Sequence, residues 1–370
     1  MKYYIIAGEA SGDLHGANLM KQLYKEDSNA EIRFWGGDLM EAVGGTLVTH
    51  YKERAFMGFI EVIMNLSKVL GFINFCKKDI AQFQPNTLIF IDNSGFNLRI
   101  AKWAKAQNFS TNYYISPQVW ASRSGRVKDI RRDIDKLFVI LPFEKEFYKK
   151  YDYSVEFVGH PLIDAIADRT QVDEALFRET HGLGNKPIIA LLPGSRKQEI
   201  AKMLSVMLSL MEDFEGYEFV IAGAPSQEFS FYKQFIGDRK VGFITNNTYD
   251  LLSISFAALV GSGTATLETA LFKVPQVVCY KGSTISYQIA KRIITLKFIS
   301  LVNLIMDKEV VQELIQNDFT KKNLKAAFLK ILDPVHREKL FEAYFELETT
   351  LGGEGASSKV AQQIVAGFKA

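Results

Sequence analysis

The sequence predicts an α/β protein made of two Rossmann-like halves, each with a parallel sheet at its centre. Three observations carry this reading. Short apolar runs rich in Ile, Val and Phe alternate with helical patterns, the rhythm restarts once near the middle, and a glycine-rich strand-to-helix turn occurs in each half. At 370 residues the chain is too long for one ordinary core and suits two domains of usual size.

The first series of expected strands is Tyr3 to Ala7, Ile32 to Trp35, Thr87 to Asp92, Thr111 to Ile115, Lys136 to Leu141 and Val155 to Val158. A helical stretch, Val172 to His181, and a loop at Gly184 to Pro187 come next. The second series is Ile188 to Leu192, Glu218 to Ala222, Val241 to Ile244, Ala257 to Val260 and Gln276 to Tyr280. The last stretch is helical by pattern, with Asp333-Pro334 separating two helices and Gly352 to Ser358 forming a hinge before Lys359 to Phe368. The expected domains are 1–168 and 169–345, with a tail, 346–370, that crosses back to an N-terminal domain of its own chain or of a partner subunit.

Hydrophobic content of 48% with 23% charged residues is globular composition. Lys+Arg 44 against Asp+Glu 42 leaves a net charge of only +2, which argues against nucleic acid as a partner. Met1 to Ala10 holds one lysine and an apolar strand too brief for a secretory signal, so a cytosolic location is expected. Cys76 and Cys279 lie far apart without a second thiol or histidine at ligand spacing. Buried free thiols are expected, not a disulfide framework or a metal site.

Gly261-Ser262-Gly263-Thr264-Ala265-Thr266-Leu267-Glu268 follows an apolar run and opens a helix. Its glycines allow close approach of a ligand, the helix start offers free N–H groups and partial positive charge, and an anion such as phosphate suits it. Glu268, one turn in from Thr264, is placed to grip a sugar diol, so a nucleotide sugar is the expected ligand. Taken alone, the same turn is equally a packing device. Gly8 to Gly16 repeats the pattern in the first half, with Glu9, Ser11, Asp13 and His15 as acceptor-side or cleft candidates. Ligands of open α/β sheets bind beyond the carboxyl ends of the strands, which singles out Asp92 as a general base, although an Asp there is also a turn former. Arg196, leaving the first strand of the second half, is either a diphosphate ligand or a solvated loop residue. His160 in Gly159-His160-Pro161-Leu162 reads as a structural corner between the halves.

Two stretches suit lipid. From Met57 to Lys78, Glu61, Asn65 and Lys68 form a narrow polar stripe on an otherwise apolar helix closed by Lys77 and Lys78. Met57, Phe59, Ile60, Ile63, Met64, Leu66, Val69 and Leu70 are the candidates there for acyl chains or a membrane surface. From Lys281 to Met306, Lys291, Arg292 and Lys297 are interleaved with apolar residues and suit anionic headgroups or a phosphorylated substrate. Core packing explains either stretch as well, and neither is long and charge-free enough to span a bilayer. Interleaved Asp129 and Asp133 make the basic run Arg123 to Arg132 a solvated helix face.

Taken in order, Gly8 to Gly16, Asp92 to Asn97, Ser116-Pro117-Gln118-Val119-Trp120-Ala121, Leu141-Pro142-Phe143-Glu144, Gly159 to Leu162, Leu191 to Arg196 and Gly261 to Glu268 make the chain resemble the bacterial lipid-A-disaccharide synthase family nearly end to end. The resemblance implies two domains of glycosyltransferase B type facing a cleft, and an inverting transferase that needs neither metal nor cofactor. It implies UDP-2,3-diacylglucosamine and 2,3-diacylglucosamine 1-phosphate as substrates, giving UDP and the β-1,6-linked lipid A disaccharide precursor. It further implies peripheral attachment to the inner face of the inner membrane, and a homodimer with exchanged C-terminal segments. The family's strand-end aspartate falls on Asp92, its donor-phosphate arginine on Arg196, its ribose-side glutamate on Glu268 and a functional asparagine on Asn303.

Departures from the family pattern are Ser94 and Gly95, where Pro and Asp often follow the aspartate, and Val302, where proline often precedes the asparagine. UDP leaves as an anion whose charge Arg196 and the N–H groups from Gly263 to Ala265 would hold, so one carboxylate is enough. A UDP-N-acetylglucosamine transferase or 2-epimerase is the rival within the fold, and would not need the apolar surfaces. A peripheral membrane protein without catalysis would leave Asp92 and the glycine turns unexplained, and an NAD-dependent oxidoreductase would need the usual dinucleotide fingerprint.

Overall fold

The computed structural model describes residues 1–54, 66–283 and 297–369. They form two compact units, Met1–Asp168 with Leu351–Ala370, and Arg169–Thr350. The first unit holds β1 (Lys2–Ala7), β2 (Glu31–Gly36), β3 (Thr46–His50), β4 (Thr87–Ile91), β5 (Ser110–Tyr114), β6 (Lys136–Val139) and β7 (Glu156–Phe157), in the order β3-β2-β1-β4-β5-β6-β7. The second holds β8 (Ile188–Leu192), β9 (Glu218–Gly223), β10 (Gly242–Thr245), β11 (Ser255–Gly261), β12 (Gln276–Tyr280) and β13 (Glu313–Ile315), in the order β10-β9-β8-β11-β12-β13. Every pairing in both sheets is parallel.

Crossover helices cover both faces of such sheets, so central strands must be apolar on both sides. Every residue of β4 and of β8 is buried. Alternation then sorts neighbours to opposite faces: Tyr4, Ile6, Leu88, Phe90 and Tyr113 join one core, while Tyr3, Ile5, Ile89, Ile91 and Tyr114 join the other. Cys76 and Cys279 are buried and form no disulfide among the described residues. The two strands that the sequence does not announce, β3 and β13, lie on sheet edges. β3 is mostly half-exposed with threonine at two of five positions, and β13 is three residues long, so neither presents an apolar run.

The helix Pro334–Thr350 runs unbroken through residue 345, and the Lys273–Glu348 ion pair holds its far end in the second unit. The division therefore falls between Thr350 and Leu351. Beyond it, the His160 N–H donates to the Leu351 carbonyl at 3.0 Å. Asp164 then accepts from the N–H groups of Gly355 at 2.6 Å and Ser357 at 3.1 Å, capping the helix Ala356–Lys369. Val360, Ala361, Ile364 and Val365 share one apolar cluster with Leu19, Met20 and Leu23 of the helix Ala10–Glu26 in the same chain. No helix among the described residues is long and apolar enough to cross a membrane.

Strand order reverses between β1 and β4 in the first sheet and between β8 and β11 in the second. Connections leave such a pair toward opposite faces of the sheet, which opens a crevice at the carboxyl ends. Gly8 and Asp92 follow β1 and β4; Arg196 and Gly261 follow or end β8 and β11.

Candidate active site

Asp92 is exposed at the end of β4, and both it (φ 45°) and Asn93 (φ 43°) are left-handed, a conformation that Asp and Asn tolerate best among residues with a side chain. The turn is held from behind. The buried Asn97 amide donates to the Asp92 carbonyl at 2.9 Å and to those of Ile91 at 3.1 Å and Ile6 at 3.3 Å, and the Tyr113 hydroxyl donates to the same Asp92 carbonyl. Surrounding protein first, and the negative charge of Glu9 second, hold the Asp92 carboxyl above the usual carboxylate range. Among the described residues it makes no ion pair, so its lone pairs are not committed to a cation. A carboxylate of raised basicity, open at one face and fixed by its backbone, is suited to take a proton.

The Gly8 turn lies directly against this carboxylate's neighbour: a Cβ on Gly8 would come within 1.9 Å of Asn93 Nδ2. Glu9 and Ser11 are exposed at the turn. Asp13 and His15, expected beside them, face inward. Asp13 is 2% exposed and accepts from the N–H groups of Gly37 at 2.7 Å, Met40 at 3.1 Å and Leu39 at 3.1 Å. It caps the helix Asp38–Val43 and has little left for a ligand. Burial pushes the His15 ring down to about 4, so it stays neutral at physiological pH. His160 is likewise buried, pushed down to about 3, and its Nδ1 accepts from Leu162 N–H at 3.2 Å, which makes it a corner cap within the first unit.

In the second unit, β11 ends at Gly261 and the helix Thr264–Leu271 begins after Gly263, whose φ of 143° admits no other residue without strain. The helical ladder starts late: Thr266 N–H bonds to the Gly263 carbonyl, while the N–H groups from Gly263 to Ala265 precede it. Gly263 and Thr264 are exposed, and no acidic residue stands in the first turn. Gly261 is fitted against the next strand's exit, since a Cβ there would lie 3.3 Å from Gly194 N. The Gly194 turn delivers Arg196, whose side chain is 82% exposed and pairs with Glu199 at 3.3 Å. Amides ahead of the helical ladder, a helix N-terminus and an exposed arginine stand together at the carboxyl ends of β8 and β11, an arrangement that suits an anion.

Glu268 is half-buried on the same helix, and its Oε1 accepts from the Tyr249 hydroxyl at 2.8 Å. Burial raises its carboxyl above the usual range. Asn303, expected to touch the donor, is fully buried and fully bonded. Its Nδ2 donates to the Val311 carbonyl at 2.8 Å and Glu313 Oε1 at 2.9 Å, and its Oδ1 accepts from the N–H groups of Val310 at 2.8 Å and Val311 at 2.9 Å. All four of its hydrogen-bonding positions are used within the protein. Glu313 in turn accepts from Ile299 N–H at 2.9 Å, and the Ile299 carbonyl accepts from Ser262 Oγ at 3.0 Å. Asn303 thus braces the glycine turn from behind instead of contacting a ligand.

Of the lipid candidates, Met57, Phe59, Ile60, Ile63 and Met64 lie outside the described residues, as do Lys291 and Arg292. Leu66 begins the helix Leu66–Phe83; Val69 is partly buried against the core, and Leu70 is 49% exposed. Lys297 pairs with Asp307 at 2.9 Å. Tyr113 and Tyr249, which sequence reasoning missed, and Asn97, which it placed in a motif without a part of its own, share one trait: each acts on a motif residue from another element or from behind the turn.

A family model described as lipid-A-disaccharide synthetase matches residues 3–366. The chain is 37% identical over 365 residues to the lipid-A-disaccharide synthase of Geobacter metallireducens, covering 96% of this chain and 94% of that one. It is 39% identical over 368 residues to that of Syntrophus aciditrophicus, covering 96% and 95%, and 32% identical over 373 residues to that of Myxococcus xanthus, covering 98% and 96%. Among solved structures, the UDP-GlcNAc 2-epimerase of Neisseria meningitidis bound to UDP-GlcNAc superposes with a TM-score of 0.72 at 13% identity, over 99% of this chain and 100% of that one. The calicheamicin glycosyltransferase CalG4 superposes with a TM-score of 0.58 at 13% identity, over 100% and 99%. At such identities these two likenesses speak for the fold, two Rossmann-like units of glycosyltransferase B type. The match along nearly the whole chain, with the motifs standing at the two switch points, makes this protein a member of the lipid-A-disaccharide synthase family, an enzyme family of glycosyltransferases in lipid A synthesis.

Proposed function

We propose that the enzyme transfers the sugar of UDP-2,3-diacylglucosamine to the 6-hydroxyl of 2,3-diacylglucosamine 1-phosphate with inversion, giving the β-1,6-linked disaccharide 1-phosphate and UDP. The observation that carries this is Asp92: an exposed carboxylate with raised basicity and no ion pair among the described residues, at the switch point of a sheet. Asp92 takes the proton from the acceptor hydroxyl as its oxygen attacks the anomeric carbon. The bond to the β-phosphate breaks on the opposite face, and the electron pair leaves on UDP. Arg196 and the N–H groups from Gly263 to Ala265 hold the diphosphate charge, so the leaving group needs no proton. Glu268 accepts from the donor's ribose.

Incubation with the donor, with and without the acceptor, followed by mass analysis and linkage determination, tests this. A β-linked disaccharide phosphate that depends on both substrates is the expected product. An altered donor without acceptor would favour an epimerase instead and overturn the reading.

The diacylated substrates call for a lipid-facing surface. On the helix Leu66–Phe83, Leu70 and Phe75 are 49% and 48% exposed, Lys68 and Lys78 are exposed, and the acidic Asp79 is buried against Arg33. This helix surface docks the protein peripherally on the inner face of the inner membrane, and the apolar composition of Met57 to Met64 suits the same role. Vesicle flotation checks it: retention on anionic and not on zwitterionic vesicles is expected, with loss in Leu70→Ser/Phe75→Ser. Exchange of residues 351–369 between two copies would reproduce the contacts that this segment makes within one chain, and a homodimer is the expected species in sedimentation.

A further inference from the structure

Tyr249 belongs to none of the sequence motifs. It lies on the short helix Thr248–Ser253 between β10 and β11, and its hydroxyl donates to Glu268 Oε1 at 2.8 Å. The ring is itself fixed on two sides. Phe272 packs on it with ring centres 5.3 Å apart, and the Arg169 guanidinium sits 5.2 Å from its centre while paired to Asp250. Burial first and the Glu268 charge second hold the phenol well above its usual range, so it remains a donor at any physiological pH. The Glu268 carboxylate, half-buried on its helix, therefore has one oxygen committed and its plane set.

We infer that Tyr249 is a positioning residue for donor recognition: by binding Oε1 of Glu268 it leaves Oε2 as the fixed acceptor for a single ribose hydroxyl of a uridine diphosphate. The inference rests on the donor-site reading given above and narrows it. A carboxylate free to rotate would meet either hydroxyl of the diol. One pinned through Oε1 offers a directed lone pair to one of them, with its orientation set before the ligand arrives.

Calorimetric titration of the full-length wild type, Tyr249→Phe and Glu268→Gln with UDP, 2′-deoxy-UDP and 3′-deoxy-UDP tests this. For the wild type, one deoxy analogue is expected to bind at least about tenfold more weakly than UDP, as loss of a hydrogen bond to a charged group implies, and the other nearly as well as UDP. Phenylalanine keeps the contacts with Phe272 and Arg169, so the fold is retained. In Tyr249→Phe, UDP affinity should fall roughly three- to tenfold, and the penalty for the sensitive hydroxyl should shrink by a similar factor. Glu268→Gln should shrink that penalty as well, and in steady-state kinetics Tyr249→Phe should raise the donor KM by a larger factor than it lowers kcat. Two results would overturn the inference with the donor site intact: equal affinities of both analogues for the wild type, or an undiminished hydroxyl penalty in Tyr249→Phe. A wild type that fails to bind UDP would instead sink the donor-site reading itself.

Discussion

The two switch points share a topology and differ in charge. At the end of β1, the helix Ala10–Glu26 begins beside Glu9, with Asp13 in its first turn and Asp92 on the neighbouring strand. At the end of β11, the helix Thr264–Leu271 begins with no acid in its first turn and with Arg196 exposed on the neighbouring strand's exit. Each helix offers N–H groups, but Glu9 and Asp92 place negative charge near the first, whereas the first turn of the second holds no acid and its nearby carboxylate, Glu199, is paired with Arg196. One glycine-turn design thus serves two purposes. Burial first and the charge of Glu9 second raise the basicity of Asp92 at one; the other, with an arginine and no acid in the helix's first turn, suits the phosphate of the proposed donor.

The largest test of that contrast is Asp92→Asn. Asparagine accepts the left-handed backbone, so the fold and UDP affinity should persist while turnover falls about 100- to 10,000-fold. That loss corresponds to about 3–5.5 kcal/mol of transition-state stabilisation. Turnover close to wild type in a folded variant would remove the base from the mechanism.

Asn303→Ala should strike stability first. It strands the N–H groups of Val310 and Val311, and a loss of about 2–4 kcal/mol, seen as a lowered melting temperature, is expected. Were melting unchanged and only UDP affinity lost, the brace would be the wrong description. Arg196→Ala, exposed and loosely paired, should leave melting alone and weaken UDP binding about 10- to 100-fold, with little loss in binding of the acceptor.

The smallest effect concerns pH. A base must be deprotonated to act, so turnover is lost as pH falls through the raised Asp92 value. Glu9→Gln removes a negative charge that raises it, and the acid limb of the pH–rate profile should move to lower pH, by less than burial alone raises it. No movement would mean that Glu9 is electrostatically idle.

What was legible in the sequence was whatever a short segment demands of itself. Buried parallel strands need continuous apolar runs, so β4 and β8 announce themselves, and the φ of Gly263 requires the glycine seen there. Edge strands β3 and β13 are set by their neighbours' hydrogen bonds more than by their own composition, and went unread. Polar residues were harder for the same reason. Asp13 finds its partners at Gly37 to Met40, Asn303 at Val310 to Glu313 and Glu268 at Tyr249, distances at which sequence spacing carries no geometry. Asp13 and Asn303 therefore looked available for a ligand when their partners were other parts of the chain, and the partner of Glu268 takes one of its two oxygens.

The first unit is discontinuous: it needs both Met1–Asp168 and Leu351–Ala370. On the ribosome its last helix emerges after the whole second unit has been made, roughly 10–40 s later at ordinary elongation rates. Through that interval Leu19, Met20 and Leu23 lack the Val360, Ile364 and Val365 that cover them in the finished protein. The second unit, continuous from Arg169 to Thr350, has no such wait. Nascent chains stalled before residue 351 should therefore be captured by chaperones at the N-terminal part.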